Sequence, residues 1–280
     1  MSESERPTIA AVTPTVCALM GITPPLGSEA APLAEPLASA RRVLGGRAVA
    51  RCLIYCPDAL GRVAVQRYTS AFDRVRERAP LSVDLQSVLP TVTPVCFATM
   101  FTGASPATHG IRKYEKPVLT SPTLFDALTA SGRQVAIVAV AGSSVDTIFR
   151  GRPIQYHSET YDAEVSQRAL SLLRADGPEV IVVYHQEYDD VMHRTEPNAS
   201  AAVEALDRHV ASFEMLADEV DAAWSRFARA VLFAPDHGVH LDPTTGHGTH
   251  GSDQPEDLEV VHFYRFAASQ RSRGSTRNTR

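Results

Sequence analysis

Two rhythms of apolar and polar positions run along the chain. Short, nearly continuous apolar runs at Val49–Tyr55, Gln134–Val140, Val180–Tyr184, Ala230–Phe233 and Val260–Tyr264 are bounded by turn formers and read as buried strands. Between them lie stretches with helical periodicity: Val63–Arg78, Thr123–Ala130, Glu164–Arg174 and the long Ala201–Trp224. In the last, Val203, Leu206, Val210, Phe213, Leu216 and Val220 form one apolar stripe. Strand and helix in alternation predict an α/β fold, a mostly parallel central sheet with helices on both faces. Residues 1–40 read as an N-terminal extension whose Pro- and Ala-rich part, 22–40, wraps the surface. Residues 41–267 read as a single α/β domain, and 268–280, lacking apolar side chains, as a disordered tail.

Composition narrows the class. A chain of 280 residues, 44% hydrophobic and 21% charged, fits one sizeable soluble domain. The net charge of −5, with no basic face, argues against a nucleic-acid partner. Cys17, Cys52, Cys56 and Cys96 lack zinc-finger spacing and read as reduced, buried thiols. The first apolar stretch is interrupted by Pro14, and no run reaches the roughly 18 apolar residues of a membrane span. The expectation is a cytoplasmic protein with no membrane partner.

Candidate chemistry gathers just past the strands, where open α/β sheets bind ligands. Asp236 and His237 follow Phe233, with Gly238 permitting the turn; Asp58 follows Tyr55. After Tyr184 come His185, Asp189 and His193, and an Asp and His four apart share one face of a helical turn. The glycine-rich segment Gly246–Ser252 adds His247 and His250. Carboxylate and imidazole together suit a zinc-like divalent ion. Taken singly, each cluster is equally a turn, a cap or a polar loop; four of them at strand ends make a common site the better reading. Thr93 opens a further segment, where a hydroxyl at a helix N-terminus can cap the helix or face an anion.

Thr93, Thr102-Gly103, Pro106 and His109-Gly110-Ile111, taken with these clusters, resemble the alkaline phosphatase superfamily, in particular its nucleotide pyrophosphatase/phosphodiesterase-like branch. The likeness runs in order from about Arg51 to Phe263, and its nine-residue spacing to Thr102 selects Thr93 over Thr91, whose replacement is expected to be mild. The resemblance implies an alkaline-phosphatase-like core and 41–267 as the catalytic domain. It also implies two divalent metal ions, Zn²⁺ first and Mn²⁺ as the alternative. Asp58, Thr93, Asp236 and His237 would hold one ion, and Asp189, His193 and His250 the other, with His247 in reserve. Thr93 would attack phosphorus, and water on the second ion would hydrolyse the phospho-threonine.

One departure bears on the substrate. Many diesterases of this branch place an Asn three residues after the nucleophile to donate to a phosphoryl oxygen; here Cys96, a poor donor, stands there. Lys113, Lys116 and His185 are the candidates to take over that contact. The expectation is therefore a phosphatase for a small, nucleotide-like phosphomonoester. A phosphodiesterase or nucleotide pyrophosphatase is the alternative, and an inactive metal-containing module that binds phospho-ligands is the reading from another class. Oligomeric state is left open, a homodimer included.

Overall fold

The apolar runs lie side by side because their residues have no face to give to water. Strands β1 (Arg51–Pro57), β3 (Val135–Val140), β5 (Val180–His185) and β6 (Arg229–Phe233) are buried at every position, the pattern of strands covered on both faces. The computed structural model describes residues 6–175 and 177–270. With β2 (Leu81–Gln86), β4 (Gln155–Glu159) and β9 (Glu259–Ala267), these strands form a seven-stranded sheet of order β2-β9-β6-β1-β5-β3-β4. The five from β6 to β4 run parallel, and β9 runs antiparallel between β6 and β2. The protein is thus an α/β fold of the expected kind. A two-stranded hairpin, β7 (His240–Leu241) and β8 (Gly248–Thr249), stands apart from the sheet.

Two strands escape the apolar pattern because both lie at the sheet's margins. In β2 only Val83 and Leu85 are buried, and β4 has no fully buried residue. The helix expected over 63–78 is two helices, Arg62–Arg67 and Thr69–Arg78, broken at Tyr68 where ψ swings to 54°.

Two apolar layers cover the sheet. Phe97, Phe101, Phe125 and Phe149 pack on one side; Phe72, Phe213, Phe233 and Phe263 pack on the other. The first layer also takes in Ile9, Val12, Val16 and Met20 from the segment read as an extension. Pro14 does not break the helix Val12–Met20, because it stands in the first turn, where no backbone N–H is required. The Thr13 hydroxyl donates to the Met100 carbonyl at 2.7 Å, tying this helix to the one opened by Thr93. Within 22–40, a helix Ala34–Leu44 begins, with Leu33, Ala40 and Leu44 buried. The polar tail expected over 268–280 lies outside the described residues from 271 on. Among the described residues no helix is long and apolar enough to cross a membrane.

Candidate active site

Strand order decides which side chains meet. β1 and β6 are parallel neighbours, with Tyr55 opposite Phe233, so Asp58 and Asp236 leave the sheet side by side. β5 flanks β1 on the other side, with His185 opposite Pro57, and leads into the helix Glu187–Met192 that carries Asp189. The turn after β6 rests directly on the turn after β1: a Cβ on Gly238 would lie 2.1 Å from the Glu256 carbonyl oxygen and 2.9 Å from Gly61 Cα. Ala59 takes a left-handed φ of 64°, which a side chain rarely adopts, and its N–H donates to Asp236 Oδ1 at 3.3 Å.

Asp58, Asp236 and His237 form a buried group whose possible ligand atoms lie within 4.8 Å of one another. His237 Nε2 stands 3.4 Å from Asp58 Oδ1 and 3.4 Å from Asp236 Oδ2. Thr93 is the first residue of the helix Thr93–Thr102, and its hydroxyl donates to Asp58 Oδ2 at 3.3 Å. Pro94 follows it in the first turn, where φ near −65° is already helical. The Tyr184 hydroxyl donates to the same Asp58 oxygen.

Asp189, His193 and His250 form the second group. His193 Nε2 is 3.5 Å from Asp189 Oδ2, His250 Nε2 is 3.4 Å from Asp189 Oδ1, and the two Nε2 atoms are 3.1 Å apart. Gly248 lets the hairpin close on the helix end; a Cβ there would lie 2.3 Å from Met192 Sδ and 2.9 Å from the Met192 carbonyl. The rings of His237 and His250 stack at 4.1 Å between centroids, so the two groups share one centre.

Burial makes this centre electrostatically unbalanced. Desolvation, reinforced by the neighbouring carboxylates Asp236 and Asp189, holds the Asp58 carboxyl well above the usual range. Burial likewise pushes Asp236 up to about 7 and His237 down to about 3. Asp189 goes the other way: burial raises it, but the imidazoles around it, His250 first and then His193 and His237, outweigh that and lower it. Asp58 Oδ1, Asp236 Oδ2, His237 Nε2 and Asp189 Oδ1 are buried without a hydrogen-bond partner. Buried acceptors without donors are rare, and free lone pairs on neighbouring carboxylates and an imidazole suit divalent cations.

The remaining candidates fall in different places. Asp58, Thr93, Asp189 and Lys116 line one cavity of about 270 Å³, together with Tyr114, Ser143, Ser144, Tyr184, Gln186 and Asp190. Lys116 Nζ donates to the Gly142 carbonyl at 2.9 Å at its edge. Lys113 is 75% exposed and pairs with Glu115 instead. Cys96 does not line the cavity; it is buried in the apolar layer with its sulfur 3.2 Å from Ser87 Oγ. His247 is exposed and joins neither group.

His185 points to the opposite face of the sheet from Tyr184, as alternation along β5 requires. Its ring bonds the Tyr55 hydroxyl at 2.9 Å and Ser166 Oγ at 3.1 Å, and burial lowers it to about 3. It therefore cannot contact a phosphoryl group beside Thr93. Asp162 and His209 sit with it, but Asp162 already accepts from His209 and from the Gln186 and Glu187 backbone N–H groups at 2.9–3.1 Å. Both Asp162 oxygens are thus occupied and only His209 Nδ1 is left without a partner there, whereas around Thr93 the carboxylate oxygens themselves are left free. Tyr184 and the cavity wall Ser143–Ser144 had no signal in the sequence, since neither belongs to a ligand-type cluster.

Fold and site together define an α/β protein with a candidate two-cation centre at the carboxyl edge of its sheet. Residues 57–241 match the family described as Type I phosphodiesterase / nucleotide pyrophosphatase, and the chain belongs to that family. His250 lies beyond the matched segment. Murine ectonucleotide pyrophosphatase / phosphodiesterase 5 shares the fold at 15% identity and a TM-score of 0.56, over 70% of this chain and 59% of that one. Its human counterpart aligns at 14% identity and a TM-score of 0.55, over 68% and 57%. The C-terminal periplasmic domain of EcEptC from Escherichia coli, solved in complex with Zn, aligns at 11% and 0.50, over 80% and 74%. The chain thus spans under two thirds of the ectonucleotide relatives. Comparison with curated protein sequences finds no match.

Proposed function

We propose that this chain is a metal-dependent phosphoric ester hydrolase with Thr93 as its nucleophile. The observation that carries the reading is the set of partnerless buried atoms, Asp58 Oδ1, Asp236 Oδ2, His237 Nε2 and Asp189 Oδ1, gathered beside a threonine hydroxyl. Asp58, Thr93, Asp236 and His237 would hold one divalent ion, and Asp189, His193 and His250 the other. Zn²⁺ suits these ligands best, with Mn²⁺ second. Such ions supply charge neutralisation and acidify bound hydroxyls and water.

The protein's own part follows from where its groups stand. Asp58 and Tyr184 orient the Thr93 hydroxyl at the mouth of the 270 Å³ cavity. Thr93 Oγ forms a bond to phosphorus as the ester P–O bond breaks in line, and the leaving oxygen departs through the cavity with the proton that the Thr93 hydroxyl gives up. Water then releases phosphate from Thr93, with net retention at phosphorus after two inversions. Lys116 is the cation at the cavity edge and would balance the second charge of a phosphomonoester. Serine, glutamine and carboxylate walls suit a small polar leaving group.

A second reading, hydrolysis of a phosphodiester or a nucleotide pyrophosphate, is favoured by the family match over 57–241. Turnover of matched pairs, a phosphomonoester and its methyl diester, separates the two. The monoester reading expects kcat/KM at least about tenfold higher for the monoester, roughly 1.4 kcal/mol in the barrier. A preference for the diester would replace it with the second reading.

A further inference from the structure

The turn that carries Thr93 and the loop that carries His250 are joined through one residue. Thr91 is fully buried and reaches three consecutive residues of the distant loop. Its carbonyl accepts from His250 Nδ1 at 2.6 Å, its hydroxyl oxygen accepts the Gly251 N–H at 2.8 Å, and its hydroxyl donates to the Ser252 carbonyl at 3.3 Å. A carbonyl can only accept, so the His250 proton sits on Nδ1 and the Nε2 lone pair is left for the centre. Nε2 is the atom that stands 3.4 Å from Asp189 Oδ1 and 3.1 Å from His193 Nε2.

We propose that Thr91 is a positioning residue: it fixes the tautomer and place of His250 relative to the nucleophile, and its hydroxyl sets the affinity of the Asp189–His193–His250 group for its cation. The inference rests on the two-ion reading above. It reverses the expectation that Thr91 is replaceable. The far end of the same loop has its own anchor, since buried Asp257 accepts from the Ser252 N–H at 3.0 Å and the Ser252 hydroxyl at 2.8 Å. Losing the Thr91 hydroxyl therefore leaves the loop attached and frees only the stretch that aims His250. Hydrogen-bond partners that orient a metal-binding imidazole are worth about 10–100-fold in metal affinity.

The test is titration of metal-stripped protein with Zn²⁺ against a chromophoric competitor, comparing wild type, Thr91→Val and Thr91→Ser, with thermal melting of each metal-free form. Wild type should bind in two steps. Thr91→Val should weaken the second step at least about tenfold with the first unchanged, and Thr91→Ser, which keeps the hydroxyl, should restore it. If the valine variant does not fold, Thr91→Ala against Thr91→Ser reads the same contrast. A second step unchanged without the hydroxyl, or both steps weakened equally, overturns the role of Thr91 while leaving the two-ion reading intact. A wild type that binds fewer than two ions overturns that reading and this inference with it.

Discussion

The two ligand groups are built differently. Asp58, Asp236 and His237 stand at the ends of adjacent parallel strands, their side chains at most 2% exposed. Asp189 and His193 come from a six-residue helix and the residue that follows it, His250 follows the second strand of the hairpin, and the His193 side chain is 42% exposed. Sheet hydrogen bonds fix strand ends closely, so the first group is rigid, but its carboxylates pay heavily in desolvation and crowd one another. The second group already pairs its carboxylate with two imidazoles. On the proposed two-ion reading, rigidity and unmet charge together should make the strand-end group the tighter cation site and the helix–hairpin group the weaker one.

The largest effect expected lies on the strand-end side. Thr93→Ala removes the proposed nucleophile, and turnover of any phosphate ester should fall at least about a thousandfold with both ions still binding. Steady-state kinetics beside a zinc assay checks this, and near-normal turnover would move the chemistry away from that group. Next in size is a contrast in metal binding. Asp236→Asn should weaken only the first binding step and His193→Ala only the second, each by more than the roughly tenfold that loss of an outer partner costs, with the Asp236 loss the larger. Equal losses from the two substitutions would erase the distinction between the groups.

Stability of the metal-free protein gives a smaller and oppositely signed contrast. Folded Asp236 titrates near 7, against about 3.9 for an unfolded aspartate. Between those values the folded state holds the extra proton, so ionised Asp236 costs stability at pH 8, and that cost disappears as pH falls through 7 and below. Asp189 is lowered, so its stabilisation is present above the ordinary carboxyl range and is lost as pH falls from that range through the lowered folded value. In chelator at pH 8, Asp236→Asn should raise Tm by a few degrees, on the order of 1–2 kcal/mol, and by less at pH 5.5; Asp189→Asn should lower it. Thermal melts at the two pH values decide the sign. The smallest effect belongs to Cys96→Ala, which trims an apolar layer and should change turnover of mono- and diesters less than about threefold, for a stability cost of roughly 1 kcal/mol.

The strand-end group was the more legible in the sequence for the same reason that it is rigid. An apolar run fixes a strand, a strand fixes its end, and Asp58, Asp236 and His237 follow directly. Asp189 and His193 needed only the spacing of a helical turn. His250 was separated from its neighbour His247 by family resemblance, because a glycine-rich loop has no period to place it; the structure brings His250 into the centre and leaves His247 outside. Burial direction was harder still. His185 and Tyr184 are adjacent, and only the register of β5 shows that the tyrosine faces Asp58 while the histidine faces the other layer. Cys96, read as the substitute for an amide donor, turns inward for a reason of packing that composition cannot show. The buried N-terminal helix and the marginal strands β2 and β4 were missed because a proline and a polar pattern hid them.

The central claim, a two-cation centre that acts through Thr93, is tested most directly by measuring metal content and turnover on one preparation. Protein purified without chelator and assayed for zinc, manganese and hydrolysis of a phosphomonoester should carry close to two ions per chain. Stripping should abolish turnover, and stepwise Zn²⁺ or Mn²⁺ should restore it only as the second equivalent binds. Turnover that survives exhaustive chelation unchanged, or that returns in full with a single ion, would contradict the account.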